Sequence, residues 1–151
     1  MPSTNNWQVR TLYLVKLLES IVRARLDAAL REYKLTTAQY TVLSLLNRPD
    51  PLSSAQVARR SFVTPQASNE MIACLEKKGF IKRTEDSKTR RILRLSLTSA
   101  GLRALDRSAQ EIERIENELL RNLMPIKATG LRQSLSTIVT TARDLAADRL
   151  A

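Results

Sequence analysis

Histidine is absent from this 151-residue chain, glycine occurs only three times, and the single cysteine is Cys74. Without imidazole the chain lacks the commonest general base and every Ser-His or Cys-His arrangement for nucleophilic catalysis. The usual nitrogen ligand of zinc is missing too, and one cysteine supplies neither a disulfide nor a thiolate cluster, so no metal site is expected. Gly79, Gly101 and Gly130 are too scattered to form a phosphate-cradling loop of the Walker or dinucleotide kind. These absences argue against an enzyme, and no cofactor is expected. Long apolar runs are also lacking. The longest holds five residues, Met-Ile-Ala-Cys-Leu at 71–75, against the roughly 20 that a membrane span needs. The opening MPSTNNWQVR has no charged leader followed by an apolar stretch, so no secretory signal is expected and the cytoplasm is the expected location.

Positive charge is what the chain does have. Lys and Arg outnumber Asp and Glu 25 to 15, giving a net charge of +10, which suits a polyanionic partner such as nucleic acid or an anionic membrane. Residues 59–94 hold ten of the basic residues and four of the acidic ones. A membrane-surface protein would instead line its basic residues along one amphipathic helix, so the clustering favours nucleic acid.

The length suits a single domain over 1–151, mainly α with a small β-hairpin. Leu12, Val15, Leu18, Val22, Leu26, Ala29 and Tyr33 recur at the spacing of one helix face and predict a long first helix over 9–33. Leu14, Leu17 and Ile21 add a second apolar face, more than one neighbour can cover. Thr36 with Gln39 forms a capping-box pattern that opens a second helix, which the Arg-Pro-Asp-Pro stretch at 48–51 ends. Ser53 with Gln56 repeats that pattern for a third helix to about Arg60. After a brief turn, Thr64 is an N-cap with Pro65 at the first helical position, and the fourth helix runs to Lys78 and ends at Gly79. The period then changes to two: Leu93, Leu95 and Leu97 predict a strand, with Phe-Ile-Lys-Arg at 80–83 as its antiparallel partner. A helix of about 24 residues follows Thr98, its N-cap, and Pro125 separates it from a final helix carrying Leu131, Leu135, Ile138, Ala142 and Leu145 on one face.

Two short helices joined by a brief turn, the second capped at both ends, form a helix-turn-helix, and the hairpin behind it is a wing. With Ala67, Met71 and Leu75 inward and Ile72 alongside, the second helix presents Pro65, Gln66, Asn69, Glu70 and Ala73 to the major groove. Uncharged Gln66 and Asn69 can read base edges, while Lys and Arg around them neutralise phosphates. The candidate DNA-contacting residues over 36–97 are Ser53, Thr64, Pro65, Gln66, Ser68, Asn69, Lys77, Arg83, Lys88, Arg90 and Arg91.

LTTAQYTVLSLL, SSAQVARRSFVTPQASNEMIACLEKKGFIKR and DSKTRRILRLSLTSAG, in that order, resemble three stretches of the MarR family of winged-helix regulators. The shared signatures include Leu75, Glu76 and Gly79 at the end of the fourth helix, and Leu97, Thr98 and Gly101 after the wing. The resemblance implies a transcription regulator, a repressor by expectation. It also implies a homodimer held by terminal helices over 9–33 and 99–149, with two recognition helices reading a pseudo-palindrome of duplex DNA. The expected dimerisation residues are Leu12, Leu14, Leu17, Leu119, Leu123, Leu135, Ile138 and Leu145. It further implies a small aromatic or phenolic anion in a crevice that Tyr13, Lys16 and Tyr40 could line.

Three departures stand out. Family wings usually carry Arg where this chain has Lys88 and Asp where it has Thr89, so the carboxylate brace of the hairpin tip is expected to be missing. Glu70 stands where an Arg is frequent, and is left to face cytosine, pair with a nearby Arg, or weaken binding. Cys74 lies inside the recognition helix beside acidic residues and reads as an inert small hydrophobe rather than a redox sensor. The competing reading is a winged-helix protein-interaction module without sequence-specific DNA function, for which Glu70 is the best support.

Overall fold

A computed structural model describes residues 10–148 other than 87 and 90, and the side chains of these residues except 147 and 148. The order of elements is α1 (Thr11–Leu30), a 3-10 turn (Arg31–Tyr33), α2 (Thr37–Leu46), β1 (Leu52–Ser53), α3 (Ser54–Ser61), α4 (Pro65–Lys77), β2 (Ile81–Glu85), β3 (Leu93–Leu97), α5 (Ser99–Leu120) and α6 (Pro125–Asp148). No helix among the described residues is long and apolar enough to cross a membrane. Two compact units are divided within α5, the first ending at Ile112 and the second beginning at Glu113.

The first unit is built around Leu30, Val42, Leu43, Val57, Ile72, Leu75 and Leu95, each buried, with Leu105 of α5 closing the cluster. Both expected capping boxes are present. Thr36 Oγ1 accepts from the Gln39 amide and the Gln39 side chain accepts from the Thr36 amide, and Ser53 and Gln56 do the same at α3. The first helix is shorter than its periodicity predicts: a 3-10 turn replaces its last residues, Lys34 adopts φ 58°, and Val9 lies outside the described residues. Asp27 of α1 accepts the Thr37 amide at 2.7 Å and so fixes the start of α2. Neither apolar face of the N-terminal half of α1 is covered, Leu12 being 78% exposed.

The hairpin has a third strand that periodicity could not show, because two residues carry no period. β1 pairs antiparallel with β3, Leu52 opposite Leu95, and the sheet order is β1-β3-β2. β2 pairs antiparallel with the other edge of β3, from Ile81 opposite Leu97 to Glu85 opposite Leu93. Leu93 shares the face of buried Leu95 but lies beyond the core and is exposed.

One joint links α4, the sheet and α5. Gly79 at φ 72° closes α4 in a Schellman motif, its amide donating to the Glu76 carbonyl at 2.8 Å and the Phe80 amide to the Leu75 carbonyl at 3.0 Å. Thr98 then takes hold of the same corner. Its amide donates to the Phe80 carbonyl at 3.0 Å, its hydroxyl donates to the Gly79 carbonyl, and that hydroxyl accepts the Gly101 amide at 3.1 Å, making Thr98 the N-cap of α5 as expected. α5 comes so close that a β-carbon on Gly101 would stand 1.9 Å from the Phe80 carbonyl oxygen.

The second unit is the C-terminal part of α5 followed by α6, which Pro125 opens at its first position. Ile115 and Ala128 are its buried apolar residues, and Arg132 pairs with Glu116 at 2.8 Å. Leu131, Leu135, Ile138 and Leu145 of α6 are all exposed, as are Leu119 and Leu123.

Two outcomes test these joints. Gly101→Ala forces a backbone shift and should destabilise by about 3 kcal/mol or more, whereas Gly130→Ala, which meets nothing within 4 Å, should be neutral or gain up to about 1 kcal/mol; urea unfolding followed by circular dichroism compares them. Asp27 is held below the usual carboxylate range, first by the Thr37 amide and then against a smaller opposing effect of desolvation. A folded-state pKa below the unfolded one gives stability that is present above about pH 4 and lost as pH falls through the folded value. Asp27→Asn should therefore flatten the acid limb of a stability-against-pH curve.

A candidate nucleic-acid interface

The chain places a helix pair and a hairpin side by side. α3 and α4 are joined by a turn in which Phe62 takes the left-handed conformation at φ 56° and its amide closes α3 on the Ala58 carbonyl. Thr64 caps α4 by accepting the Ala67 amide at 3.2 Å, and Pro65 follows at a position that needs no donor. The face of α4 turned to the core is Ser68, Ile72 and Leu75, flanked by the partly buried Ala67, Met71 and Cys74. The opposite face is open, and Pro65, Gln66, Asn69, Glu70 and Ala73 are exposed as the periodicity requires.

Ser68 corrects the expected contact set. It is 0% exposed, one turn before Ile72 on the inward face, and its hydroxyl has no partner among the described residues, so it is covered where a nucleic acid would have to reach it. Ser53 and Thr64 use their hydroxyls as caps. Arg83 pairs with Glu76 at 2.9 Å. Lys77, Lys88 and Arg91 are exposed, and Arg90 lies outside the described residues. Arg59, Arg60 and Lys82 are exposed as well. None of these six forms an ion pair among the described residues.

Two exposed amide side chains of α4 are held by neighbours. Asn69 Oδ1 accepts from the Ser54 hydroxyl at 2.7 Å, which ties the start of α3 to the exposed face of α4. Glu70 pairs with no arginine among the described residues; it accepts from Gln66 Nε2 at 3.3 Å. That bond orients the Gln66 amide and draws part of the carboxylate's charge onto a donor from its own helix.

The wing has a brace after all, built from different residues. Asp86 accepts the Lys88 amide at 2.9 Å, turning the chain at the hairpin tip, and pairs with Arg94 at 2.7 Å. Arg94 also donates to Gln56 Oε1 at 3.1 Å, the same oxygen that accepts the Ser53 amide in the α3 capping box. One carboxylate thus couples the tip, the strand and α3. The signal in the sequence was a carboxylate three residues before Thr89, but nothing in the spacing says which base it meets.

Behind α4, Gln39 of α2 is nearly buried and forms a second link. It donates to Cys74 Sγ at 3.4 Å and accepts from Lys78 Nζ at 2.9 Å, and Lys78 also donates to the Lys34 carbonyl at 2.6 Å. Cys74 is therefore a half-buried packing partner. Of the residues expected to line a ligand crevice, Tyr40 packs against the core, Tyr13 is exposed, and Lys16 pairs with Glu19 at 3.2 Å.

Helix, turn, helix and a braced hairpin, with exposed cations on both, define a winged helix-turn-helix. The sequence profile of the MarR family matches residues 33–92. The chain is 35% identical over 102 residues to the HTH-type transcriptional repressor Rv2887 of Mycobacterium tuberculosis, an alignment that covers 68% of this chain and 73% of the relative. A structure of the Mycobacterium tuberculosis MarR family protein Rv2887 in complex with salicylic acid superposes with a TM-score of 0.70 at 27% identity, over 85% of this chain and 96% of the other. The transcriptional repressor CouR, known from Rhodococcus jostii, superposes in a structure bound to a 23-mer DNA duplex with a TM-score of 0.80 at 26% identity, over 86% of this chain and 92% of the other. The chain belongs to the MarR family of DNA-binding transcription regulators.

Asp86 sits below the usual carboxylate range, chiefly through the Lys88 amide and then through Arg94. The sign follows as for Asp27: the brace is intact above about pH 4 and opens as pH falls through the folded value. At neutral pH, Asp86→Asn should speed amide exchange at Lys88 and Ile92 several-fold while leaving the melting temperature nearly unchanged, since the pair is near the surface.

Proposed function

We propose that the chain represses transcription by binding a pseudo-palindromic duplex as a homodimer, and that a small aromatic anion relieves the repression. The observation that carries the DNA reading is the open face of α4, where Gln66 and Asn69 are held by Glu70 and Ser54, in a unit that also exposes Lys77, Lys88 and Arg91, none of them ion-paired among the described residues. Phosphate neutralisation by those cations supplies affinity, and the amides supply discrimination between bases. Arg90 belongs to the same proposed set from its position in the sequence, and Arg83 contributes through a charge already screened by Glu76. Pro65 and the capped start of α4 bring the backbone close to phosphate.

The dimer reading rests on exposed apolar side chains. Leu12, Leu14 and Leu17 of α1, Leu119 of α5, Leu123 and the α6 residues Leu135, Ile138 and Leu145 are too many large apolar groups for water to face without a partner. A two-fold dimer would set half-sites about one helical turn, roughly 34 Å, apart. Salicylic acid on the mycobacterial relative supports an aromatic anion as effector. Tyr13, Lys16 and Tyr40 are the crevice residues proposed for it by family likeness.

Selection of duplexes from a random pool tests this reading. A two-half-site consensus should emerge, with log affinity falling by roughly 0.9 per neutralised phosphate against log salt. Gln66→Ala and Asn69→Ala should each cost about 1–3 kcal/mol and relax preference at particular bases, whereas Lys88→Ala should weaken all duplexes alike and lower the salt slope by about 1. Equal affinity for every duplex would instead support a protein-interaction module.

A further inference from the structure

Of the two amide side chains proposed to read bases, Gln66 is held from within α4 and Asn69 from outside it. The Ser54 hydroxyl of α3 donates to Asn69 Oδ1 at 2.7 Å, across 15 positions of sequence. Ser54 is half-buried beneath the exposed Asn69. It stands at the first position of α3, one residue past Ser53, and the capping box there belongs to Ser53 and Gln56. The start of α3 therefore does not need the Ser54 hydroxyl, whose bond acts on α4 instead.

A primary amide carries one carbonyl acceptor and an NH2 group that donates twice. Bidentate contact with adenine needs both ends at once, Oδ1 accepting from N6 and Nδ2 donating to N7. Here Oδ1 already accepts a hydroxyl at an ordinary O–H···O distance, so an adenine amine would share that oxygen with Ser54 and gain less from it. The Nδ2 donors have no partner among the described residues, and guanine N7 and O6 or thymine O4 offer acceptors to them without calling on Oδ1. We propose that Ser54 is a positioning residue that sets the base preference of Asn69 through this bond, turning it from adenine toward guanine or thymine. α3 then contributes to specificity without a base contact of its own. At an exposed site the bond competes with water, but a duplex laid over α4 displaces that water and strengthens the bond where the choice between bases is made. This rests on the DNA reading given above and goes beyond it by naming the base edge and the residue that selects it.

Duplexes are selected from a random pool by the full chain as wild type, Ser54→Ala, Ser54→Thr, Asn69→Ala, and Ser54→Ala combined with Asn69→Ala. The base pair at which Asn69→Ala loses preference marks where Asn69 reads. Wild type should prefer guanine or thymine there, and Ser54→Ala should shift the ratio toward adenine by about two- to tenfold, the value of one ordinary hydrogen bond. Ser54→Thr keeps the hydroxyl and should select as wild type does. Adding Ser54→Ala to Asn69→Ala should change nothing further. Preferences at other base pairs, the salt slope and the melting temperature should stay as in wild type. Should Ser54→Ala fail to fold, Ser54→Asp makes the same comparison: a carboxylate suits a helix start and accepts from Nδ2 instead of donating to Oδ1, so preference should move toward the amines of adenine or cytosine while every duplex binds more weakly. An adenine preference in wild type, an equal loss on all duplexes in Ser54→Ala as a phosphate contact would give, additive effects in the double variant, or no shift at all overturns the assignment. A wild type that selects no duplex defeats the regulator reading and the assignment with it, whereas a selected duplex on which Asn69→Ala changes no preference defeats the assignment alone.

Discussion

The packing of α5 against the carbonyl of Phe80 is the constraint on which the first unit depends. Only a residue without a β-carbon fits at Gly101, and Thr98 can cap α5 while holding Gly79 and Phe80 only because that approach is allowed. The corner where the recognition helix ends is therefore also where the sheet ends and where α5 begins. The three elements share the hydrogen bonds of Thr98, Gly79 and Phe80, so the end of α4 and the start of α5 meet at one joint.

Around that corner, polar groups take the roles that extra apolar burial plays in larger domains. Gln56 caps α3 and receives Arg94, Gln39 caps α2 and receives Lys78, and each uses one side-chain oxygen for both tasks. Capping residues are chosen locally for the helix they start, yet here they also fix the distance between elements. The result is a frame in which several cations of a basic segment are used internally, while those without an ion pair among the described residues lie along the hairpin and the ends of the two short helices.

The helices and their caps were legible because capping is short-range chemistry: Thr36, Ser53, Thr64 and Thr98 each accept the capping amide from three residues on. The outward face of α4 followed from its period. What did not follow came from contacts between residues far apart in sequence. Ser68 lies on the inward edge of α4, and only the packing shows that it is covered. The Asp86 brace joins residues 8 positions apart and then a partner 38 positions away, distances over which spacing carries no information. The third strand is invisible for another reason, since Leu52 and Ser53 acquire their strand geometry from β3 and not from any pattern of their own.

Phe62 sets the turn between α3 and α4 in a backbone conformation that a bulky side chain adopts only under compulsion, at a strain of about 1–3 kcal/mol. A glycine would make that turn a hinge; a phenylalanine, whose β-carbon narrows the accessible dihedrals, makes it a fixed bracket. The crossing angle of the two short helices is then set before any duplex arrives. On the function proposed above, a groove that did not match that angle would itself have to adapt, and duplexes that bend or widen at low cost would be favoured.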